Sequence, residues 1–187
     1  MILADDEIAA LAEAGMISPF APEQVRQIGD RSVVSYGLSS YGYDIRLGDA
    51  FKRIRSTYLY ALDPHEDNSA AFMAFTSEWI ELPPNGFLLG VSVEHFCIPR
   101  DVSVAVMGKS SLARLGIDVL VTPMEAGWEG YLTIEIVNHA PLPVRLYAGE
   151  GIAQAQFFRG APCRVSYADR RGRYQGQPAA PVVTRVP

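Results

Sequence analysis

Basic residues are in the minority in this chain. Its 187 residues include 16 lysines and arginines against 21 aspartates and glutamates, which gives a net charge of −5. Proteins that bind nucleic acids usually present a strongly basic face, so this balance argues against a nucleic-acid partner. It still allows a nucleotide site, because such a site needs only a few local cations.

Cysteines and long apolar runs are also scarce. Cys97 and Cys163 are the only cysteines, whereas a secreted disulfide scaffold of this length would carry more, so we predict a reducing compartment. Residues 1–14 contain four acidic side chains and lack the basic start and continuous apolar core of a signal peptide. No apolar run approaches the length of a membrane span. We therefore expect a soluble, cytoplasmic protein without a membrane partner.

Zinc ligands at a recognisable spacing are absent as well. The zinc-dependent nucleobase deaminases need a His-x-Glu motif and a Pro-Cys-x-x-Cys motif to hold the metal and activate water. Here the two cysteines are isolated, and His65, His95 and His139 are scattered without ligand spacing. We interpret these histidines as surface or packing residues and predict no zinc. No Ser–His–Asp signature stands out either.

Short segments separated by turns dominate what is present. Apolar and polar residues alternate, or apolar residues run together, in residues 87–93, 102–106, 132–137, 144–147 and 152–158. Stretches rich in proline and glycine lie between them and are typical of turns. The pattern predicts one mainly β domain over residues 1–187, a sandwich or barrel with jelly-roll-like topology.

A few short helices and a C-terminal arm complete the expected organisation. Residues 5–14 fit an amphipathic helix with Asp5 as its N-cap and Gly15 at its end. Residues 110–115 fit a short helical interruption of the strand pattern. The end of the chain is rich in Gly, Arg, Gln and Pro, so residues 168–187 are predicted to form a mobile arm.

The first candidate for chemistry is the segment Met-Gly-Lys-Ser-Ser-Leu-Ala-Arg-Leu-Gly, residues 107–116, called here the serine loop. Ser110 and Ser111 suit the cap of a short helix whose free N–H groups attract anions, and Lys109 adds a charge beside it. Ser110 and Arg114 are four residues apart and share one helix face. A phosphate-and-base pocket and a plain surface turn explain this segment equally well. A P-loop does not, because Ser103 stands where that motif needs glycine.

The second candidate is Glu135, which alternation places in the middle of a strand beside Thr133 and Val137. Glutamate is depleted in strands and is rarely buried without a partner. Taken alone, an exposed strand face is the simpler interpretation. The preceding Gly-Trp-Glu-Gly, residues 127–130, is a tight connection that could place this strand beside the serine loop, which favours a functional role.

The third candidate is residues 166–177, where arginines, amides and tyrosines stand on a glycine-containing arm. Such a segment suits a lid that closes over phosphates. A disordered terminus is the alternative.

Six segments, taken in chain order, together form a pattern that is typical of one protein family. They are Ser-Ser-Tyr-Gly-Tyr-Asp-Ile-Arg (39–46), Gly-Lys-Ser-Ser-Leu-Ala-Arg-Leu-Gly (108–116), Val-Thr-Pro (121–123), Gly-Trp-Glu-Gly-Tyr-Leu-Thr-Ile-Glu (127–135), Tyr-Ala-Gly-Glu-Gly-Ile-Ala-Gln (147–154) and the C-terminal residues 167–177. This set closely resembles the dCTP deaminase family of the dUTPase-like superfamily. A serine loop alone would not separate the deaminases from the dUTPases, but the full set does.

The resemblance implies a distorted jelly-roll-like β-barrel, a homotrimer and active sites built between neighbouring subunits. It implies the hydrolysis of dCTP to dUTP and ammonia, which supplies dUTP towards dUMP and dTTP synthesis, with dTTP as a candidate feedback inhibitor. Magnesium in the family is carried by the substrate triphosphate, as expected of an ion that keeps its waters.

The resemblance also assigns site residues. Glu135 matches the family's proton shuttle, and Ser110 and Arg114 match residues that position the base and the attacking water. Thr133 and Ile134 match the strand that lines the base pocket. The remaining matches to nucleotide-binding positions are Lys109, Ser111, Leu112, Ala113, Gln154, Tyr167 and Gln177.

This sequence departs from the family's pattern at a few positions, and these positions help to distinguish the possible functions. A dUTPase or bifunctional deaminase–dUTPase carries an aspartate in the turn that here spans residues 122–128, where Glu125 is the nearest acid. We therefore favour deamination without phosphate cleavage. Lys109 replaces an arginine of some relatives and keeps the charge, and Asp44 and Arg46 are expected to form structural pairs. A dUTP pyrophosphatase, a bifunctional enzyme and a non-catalytic trimeric nucleotide sensor remain the alternatives.

Overall fold

The structure, a computed structural model, describes residues 1–55 and 61–184. Within these ranges the chain forms thirteen β-strands, two α-helices and one 3₁₀ turn. The helical segments are α1 (Asp5–Glu13), α2 (Ser110–Ala113) and the 3₁₀ turn Ser69–Ala71. The strands are β1 (Ile17–Ser18), β2 (Val25–Ile28), β3 (Arg31–Ser39), β4 (Gly42–Arg46), β5 (Ala50–Ile54), β6 (Phe72–Thr76), β7 (Trp79–Leu82), β8 (Phe87–Cys97), β9 (Val102–Gly108), β10 (Ile117–Leu120), β11 (Glu129–Asn138), β12 (Val144–Tyr147) and β13 (Gly151–Arg159). The mainly β prediction is confirmed.

The strands form open antiparallel sheets. One sheet has the order β2-β3-β4-β13-β9, a second has β10-β11-β8-β5-β6 with β1 also on β8, and β12 pairs with β7. Neither large sheet closes on itself within the described residues, so the predicted closure into a barrel is wrong. The short strands β2, β6, β9 and β10 are left as edges, and alternation along a strand does not specify which edges meet.

One buried core joins the two large sheets. Tyr43 and Phe157 come from the first sheet, Phe51, Phe96 and Ile134 come from the second, and all are at most 1% exposed. Complete burial of side chains of this size stabilises the fold by about 1.5–3 kcal/mol each. This shared core fixes the position of β11, which carries Glu135.

Helix α1 ends one residue before the predicted end, at Glu13. Its N-cap is Ala4 and not Asp5, which corrects the predicted cap. Glu7 accepts the Ala4 N–H at 3.3 Å, while Asp5 lies inside the first turn, where its charge suits the helix N-terminus. No helix of the described residues is long and apolar enough to cross a membrane.

Helix α2 is shorter than residues 110–115 and ends at Ala113. Lys109 is its N-cap and makes no side-chain capping bond. The predicted capping by Ser110 and Ser111 is wrong, because both serines already lie inside the helix. Gly116, with φ of 81°, then turns the chain into β10.

Strand β11 lies between β8 and β10 and has the predicted alternation. Leu132, Ile134 and Ile136 are at most 6% exposed and face the core. Glu135 pairs with Leu89 on one side and with Leu120 on the other. A register shift between Tyr131 and Thr133 marks the entry of the strand, and the residues of the opposite face point away from the core.

Candidate functional site

Glu135 opens into a cavity of about 870 Å³, called here the Glu135 cavity. Phe72, Phe87 and Leu89 contribute apolar walls to this cavity. Polar groups also line the cavity: Asp63, Asn68, Thr122, Glu125, Thr133, Tyr167, Tyr174, Gln177 and Thr184. The volume suits a small-molecule ligand, and apolar walls with a few polar groups are typical of such sites.

Burial raises the pKa of Glu135, and a backbone hydrogen bond opposes this effect only in part. Arg114 makes no contribution to this pKa shift. It is exposed and does not line the cavity of the same chain. The raised pKa makes this carboxylate a stronger base than an exposed glutamate, which suits a general acid–base group.

The C-terminal residues 166–184, called here the tail, pack against the start of β11. The indole N–H of Trp128 donates to the Tyr174 carbonyl at 2.9 Å, and the Gly176 N–H donates to the Glu129 carbonyl at 2.8 Å. The Tyr131 N–H donates to the Gln177 carbonyl at 3.0 Å. The connection at residues 127–130 thus contacts the tail, a partner that sequence reasoning did not consider. The last three residues of the predicted arm, 185–187, lie outside the described residues.

Tyr167 and Gln177 reach the Glu135 cavity because of this packing. The Tyr167 hydroxyl accepts the Tyr174 N–H at 2.9 Å, so it holds the tail as well as lining the cavity. The Thr133 hydroxyl lies 2.6 Å from Oε1 of Gln177. Four of the predicted site residues, two from β11 and two from the tail, therefore line the same cavity.

A second cleft of about 790 Å³, called here the Lys109 cleft, contains the start of the serine loop. Its polar lining is Gln24, Arg26, Ser32, Ser35, Asp44, Lys109, Ser110, Ser111 and Gln154. Gln24 and Arg26 belong to no recognisable motif, so the sequence analysis did not predict them as site residues. Exposed serine hydroxyls beside cationic side chains are suited to bind an anionic group of a ligand.

Asp44 organises the Lys109 cleft. Its carboxylate is 1% exposed and lies 2.5 Å from the Lys109 ammonium. It also accepts from the side-chain amides of Gln24 at 3.1 Å and Gln154 at 3.2 Å. Arg46 pairs separately with Glu94 at 2.7 Å, so both residues form the expected structural pairs. Two of the three ammonium protons of Lys109 are thus directed to Asp44 and Ser35 of the same chain.

The predicted site residues thus divide into two groups within one chain. Glu135, Thr133, Tyr167 and Gln177 line the Glu135 cavity, whereas Lys109, Ser110, Ser111 and Gln154 line the Lys109 cleft. Ala113 and Arg114 are exposed and line neither. Leu112 and Ile134 have buried side chains that belong to the core.

The described titratable residues form no cluster that is suited to a metal ion. Within residues 1–55 and 61–184, no group of three His, Cys, Asp or Glu side chains is placed to hold an ion. His65 and His139 are exposed, and His95 packs edge-on against Tyr131 at 5.1 Å. His65 and His139 thus lie at the surface, and His95 packs against an aromatic ring.

Comparisons with known proteins all find similarity to the same family. A family model described as dCTP deaminase-like matches residues 2–160. A dCTP deaminase of Acidovorax sp. (strain JS42) is 49% identical over 178 residues, which are 94% of this chain and 95% of the relative. A dCTP deaminase of Chloroflexus aurantiacus (strain ATCC 29366 / DSM 635 / J-10-fl) is 51% identical over 166 residues, 88% of this chain and 87% of the relative.

A solved structure shares the fold. The 2'-deoxycytidine 5'-triphosphate deaminase from Agrobacterium tumefaciens superposes with a TM-score of 0.66 at 24% identity over 85% of this chain. The match covers 48% of that chain, so the present chain spans about half of its length.

Proposed function

Because the chain belongs to the dCTP deaminase-like family, we propose that it hydrolyses dCTP to dUTP and ammonia with Glu135 as the proton shuttle. The observation that carries this proposal is a half-buried carboxyl with a raised pKa in a cavity of ligand size. This activity belongs to pyrimidine deoxynucleotide metabolism, where it supplies dUTP towards dUMP and dTTP.

The reaction needs a group that moves protons beside carbon 4 of cytosine. Carbon 4 is a weak electrophile and water is a weak nucleophile. The Glu135 carboxylate takes a proton from water as its oxygen bonds to carbon 4, and it passes that proton to ring nitrogen 3. It then relays a second proton from the new hydroxyl to the amino group, which leaves as ammonia. One such group is worth about 10²–10⁴-fold in rate.

The serine loop completes the site from a neighbouring copy in this proposal. Within one chain its residues line a different cleft from Glu135. Arg114 and the serines are exposed, as residues that serve a neighbour would be. Met107, Leu115 and Leu120 near them are large apolar side chains that are 41–55% exposed, which favours association through this surface. A homotrimer with sites between subunits is the assembly that we propose.

Magnesium enters with the substrate triphosphate and not as a resident ion of the protein. Mg²⁺ keeps several waters and is commonly bound through phosphates with few protein ligands. The described residues provide no cluster of three ligands for it, which fits an ion that arrives on the nucleotide. No zinc is needed for the proton transfers assigned to Glu135.

Glu125 is the residue on which phosphate cleavage would depend. It lines the Glu135 cavity, but its carboxylate is ion-paired with Arg170 of the tail. The Glu125 carboxylate is thus already engaged by the tail, which leaves it less available to orient a water at the phosphates. Deamination without loss of pyrophosphate is therefore the outcome that we propose.

The products formed from dCTP and magnesium test the proposal. Wild type should give dUTP and ammonia, and Glu135→Gln should lower kcat by about 10²–10⁴-fold because the amide takes up no proton. Glu129→Gln is the matched control, since Glu129 lies on the same strand and is exposed. Formation of dUMP with pyrophosphate would indicate a bifunctional enzyme. Nucleotide binding without turnover in wild type would indicate a sensor.

A further inference from the structure

Thr133 lies on the cavity face of β11 and is hydrogen-bonded on two sides. Its hydroxyl oxygen accepts the Val182 N–H at 3.0 Å and lies 2.6 Å from Oε1 of Gln177. Thr133 is 8% exposed and Gln177 is 9% exposed, so bulk water does not replace these bonds. A hydroxyl has one proton to donate. With Val182 as donor to the oxygen, that proton is directed to the Gln177 carbonyl oxygen.

The Gln177 amide is therefore oriented by Thr133, whereas its backbone is placed by other contacts. The Tyr131 N–H donates to the Gln177 carbonyl at 3.0 Å, and the Gly176 N–H donates to the Glu129 carbonyl at 2.8 Å. These main-chain bonds hold the tail on β11 without the threonine. The Thr133 hydroxyl determines which end of the amide faces Thr133, and the nitrogen end is left for the cavity that Gln177 lines.

The spacing along β11 relates this amide to the reacting atoms. Thr133 and Glu135 are two residues apart on one strand face, so their Cα atoms are separated by about 6.8 Å. This distance is similar to the width of a pyrimidine ring with its substituents. Cytosine has two ring-edge acceptors, nitrogen 3 and O2. Nitrogen 3 faces Glu135 in the proposed mechanism, which leaves O2 for a donor at the neighbouring position.

We propose that Thr133 is a positioning residue that holds the Gln177 amide with its N–H groups towards O2 of the cytosine. The inference rests on the proposed dCTP deamination and adds a determinant of base recognition to it. If the amide rotated by 180°, its oxygen would face O2, and two acceptors would oppose each other. The threonine thus stabilises the orientation that binds substrate.

A substrate analogue isolates this contact. The test compares dCTP with its 2-thio analogue, in which sulfur, a weak acceptor, replaces O2, in wild type, Thr133→Val and Thr133→Ser. The electronic effect of sulfur on the ring is common to all variants, so differences between variants report the contact. Wild type and Thr133→Ser should prefer dCTP in kcat/KM by about tenfold, the value of one well-oriented hydrogen bond. Thr133→Val should lose most of that preference, mainly through KM for dCTP.

The control removes the other bond of Thr133. Val182→Pro lacks the N–H that Thr133 accepts but keeps the threonine–glutamine bond, so it should retain the preference for dCTP. The inference is overturned if wild type shows no preference, if Thr133→Val keeps it within about threefold, or if Val182→Pro loses it equally. Failure of wild type to form dUTP would contradict the proposed function itself.

Discussion

At the scale of single residues, the chemistry depends on where two carboxylates are buried and what they face. Glu135 faces a cavity, and burial raises its pKa. Asp44 faces an ammonium and two amides, so its charge is compensated inside the fold. The first arrangement leaves a proton acceptor available for a ligand. The second uses the carboxylate to hold other side chains in place.

The raised pKa of Glu135 predicts the pH dependence of activity. Removal of a proton from water requires the carboxylate form, so kcat/KM should fall as pH drops through the pKa of Glu135. Because burial raises that pKa, the acid limb should lie above the ordinary glutamate value of 4.5. The measurement is the pH profile of kcat/KM for dCTP, with Glu129→Gln expected to leave the limb unchanged. A limb at or below the ordinary value would contradict the role of Glu135.

The Asp44–Lys109 pair predicts a stability effect. Asp44→Asn leaves the Lys109 ammonium, 9% exposed, without its carboxylate. Loss of one partner of a buried pair costs about 3–5 kcal/mol, so urea unfolding should show a decrease of that size. The double variant Asp44→Asn with Lys109→Met should recover much of it, because no buried charge is then unpaired. A single variant within about 1 kcal/mol of wild type would show that the pair is effectively solvated.

At the scale of elements, the tail and β11 act as one unit. Gly130 has φ of 144°, and a Cβ on it would lie 2.6 Å from the Gln177 nitrogen. The close approach of two backbones requires glycine there. Through this approach, Gln177 and Tyr167 reach the cavity that contains Glu135.

Gly130→Ala should therefore displace the tail. We expect faster limited proteolysis after residue 166 and a loss of kcat/KM for dCTP of about tenfold or more, since misplaced binding groups are costly. Gly149→Ala is the matched control: Gly149 also has a positive φ, of 80°, but a Cβ there meets nothing within 4 Å. Equal effects of the two variants would assign the loss to backbone strain and not to the tail.

Five strands with clear apolar patterns were predicted from sequence, whereas the shorter or more polar strands, and also β10, were missed. Strand β12 matches its predicted segment, and β8, β9, β11 and β13 extend the predicted ones by a few residues. The strands before them were missed: β2, for example, has three exposed residues in succession and no buried one. Its pairing with β3 supplies the order that local pattern does not indicate.

The candidate site residues could be named from sequence, but their contacts could not. Glu135 stands out because glutamate is unusual in the middle of a strand. The Thr133–Gln177 bond joins residues 44 positions apart and depends on how the tail docks, for which no local signal exists. The Lys109–Asp44 pair spans 65 positions and was missed for the same reason, although each residue was noted singly.

At the scale of the whole molecule, one chain has two separate clefts. The Glu135 cavity contains Glu135 and contacts the tail, and the Lys109 cleft contains the start of the serine loop. Exposed apolar residues flank the loop. In the proposed trimer, the loop of one copy would meet the cavity of the next, because the contacting surfaces in a closed ring are different parts of the same chain.

Subunit mixing tests the central claim, that Glu135 of one copy works with the serine loop of another. Glu135→Gln and Arg114→Ala are each expected to be nearly inactive. After random reassembly in equal amounts, a loop from the first variant meets a glutamate from the second at about one interface in four, so dUTP formation should recover to about a quarter of wild type. Light scattering should show a trimer before and after mixing. A mixture no more active than its separate components, despite confirmed exchange of subunits, would contradict the account.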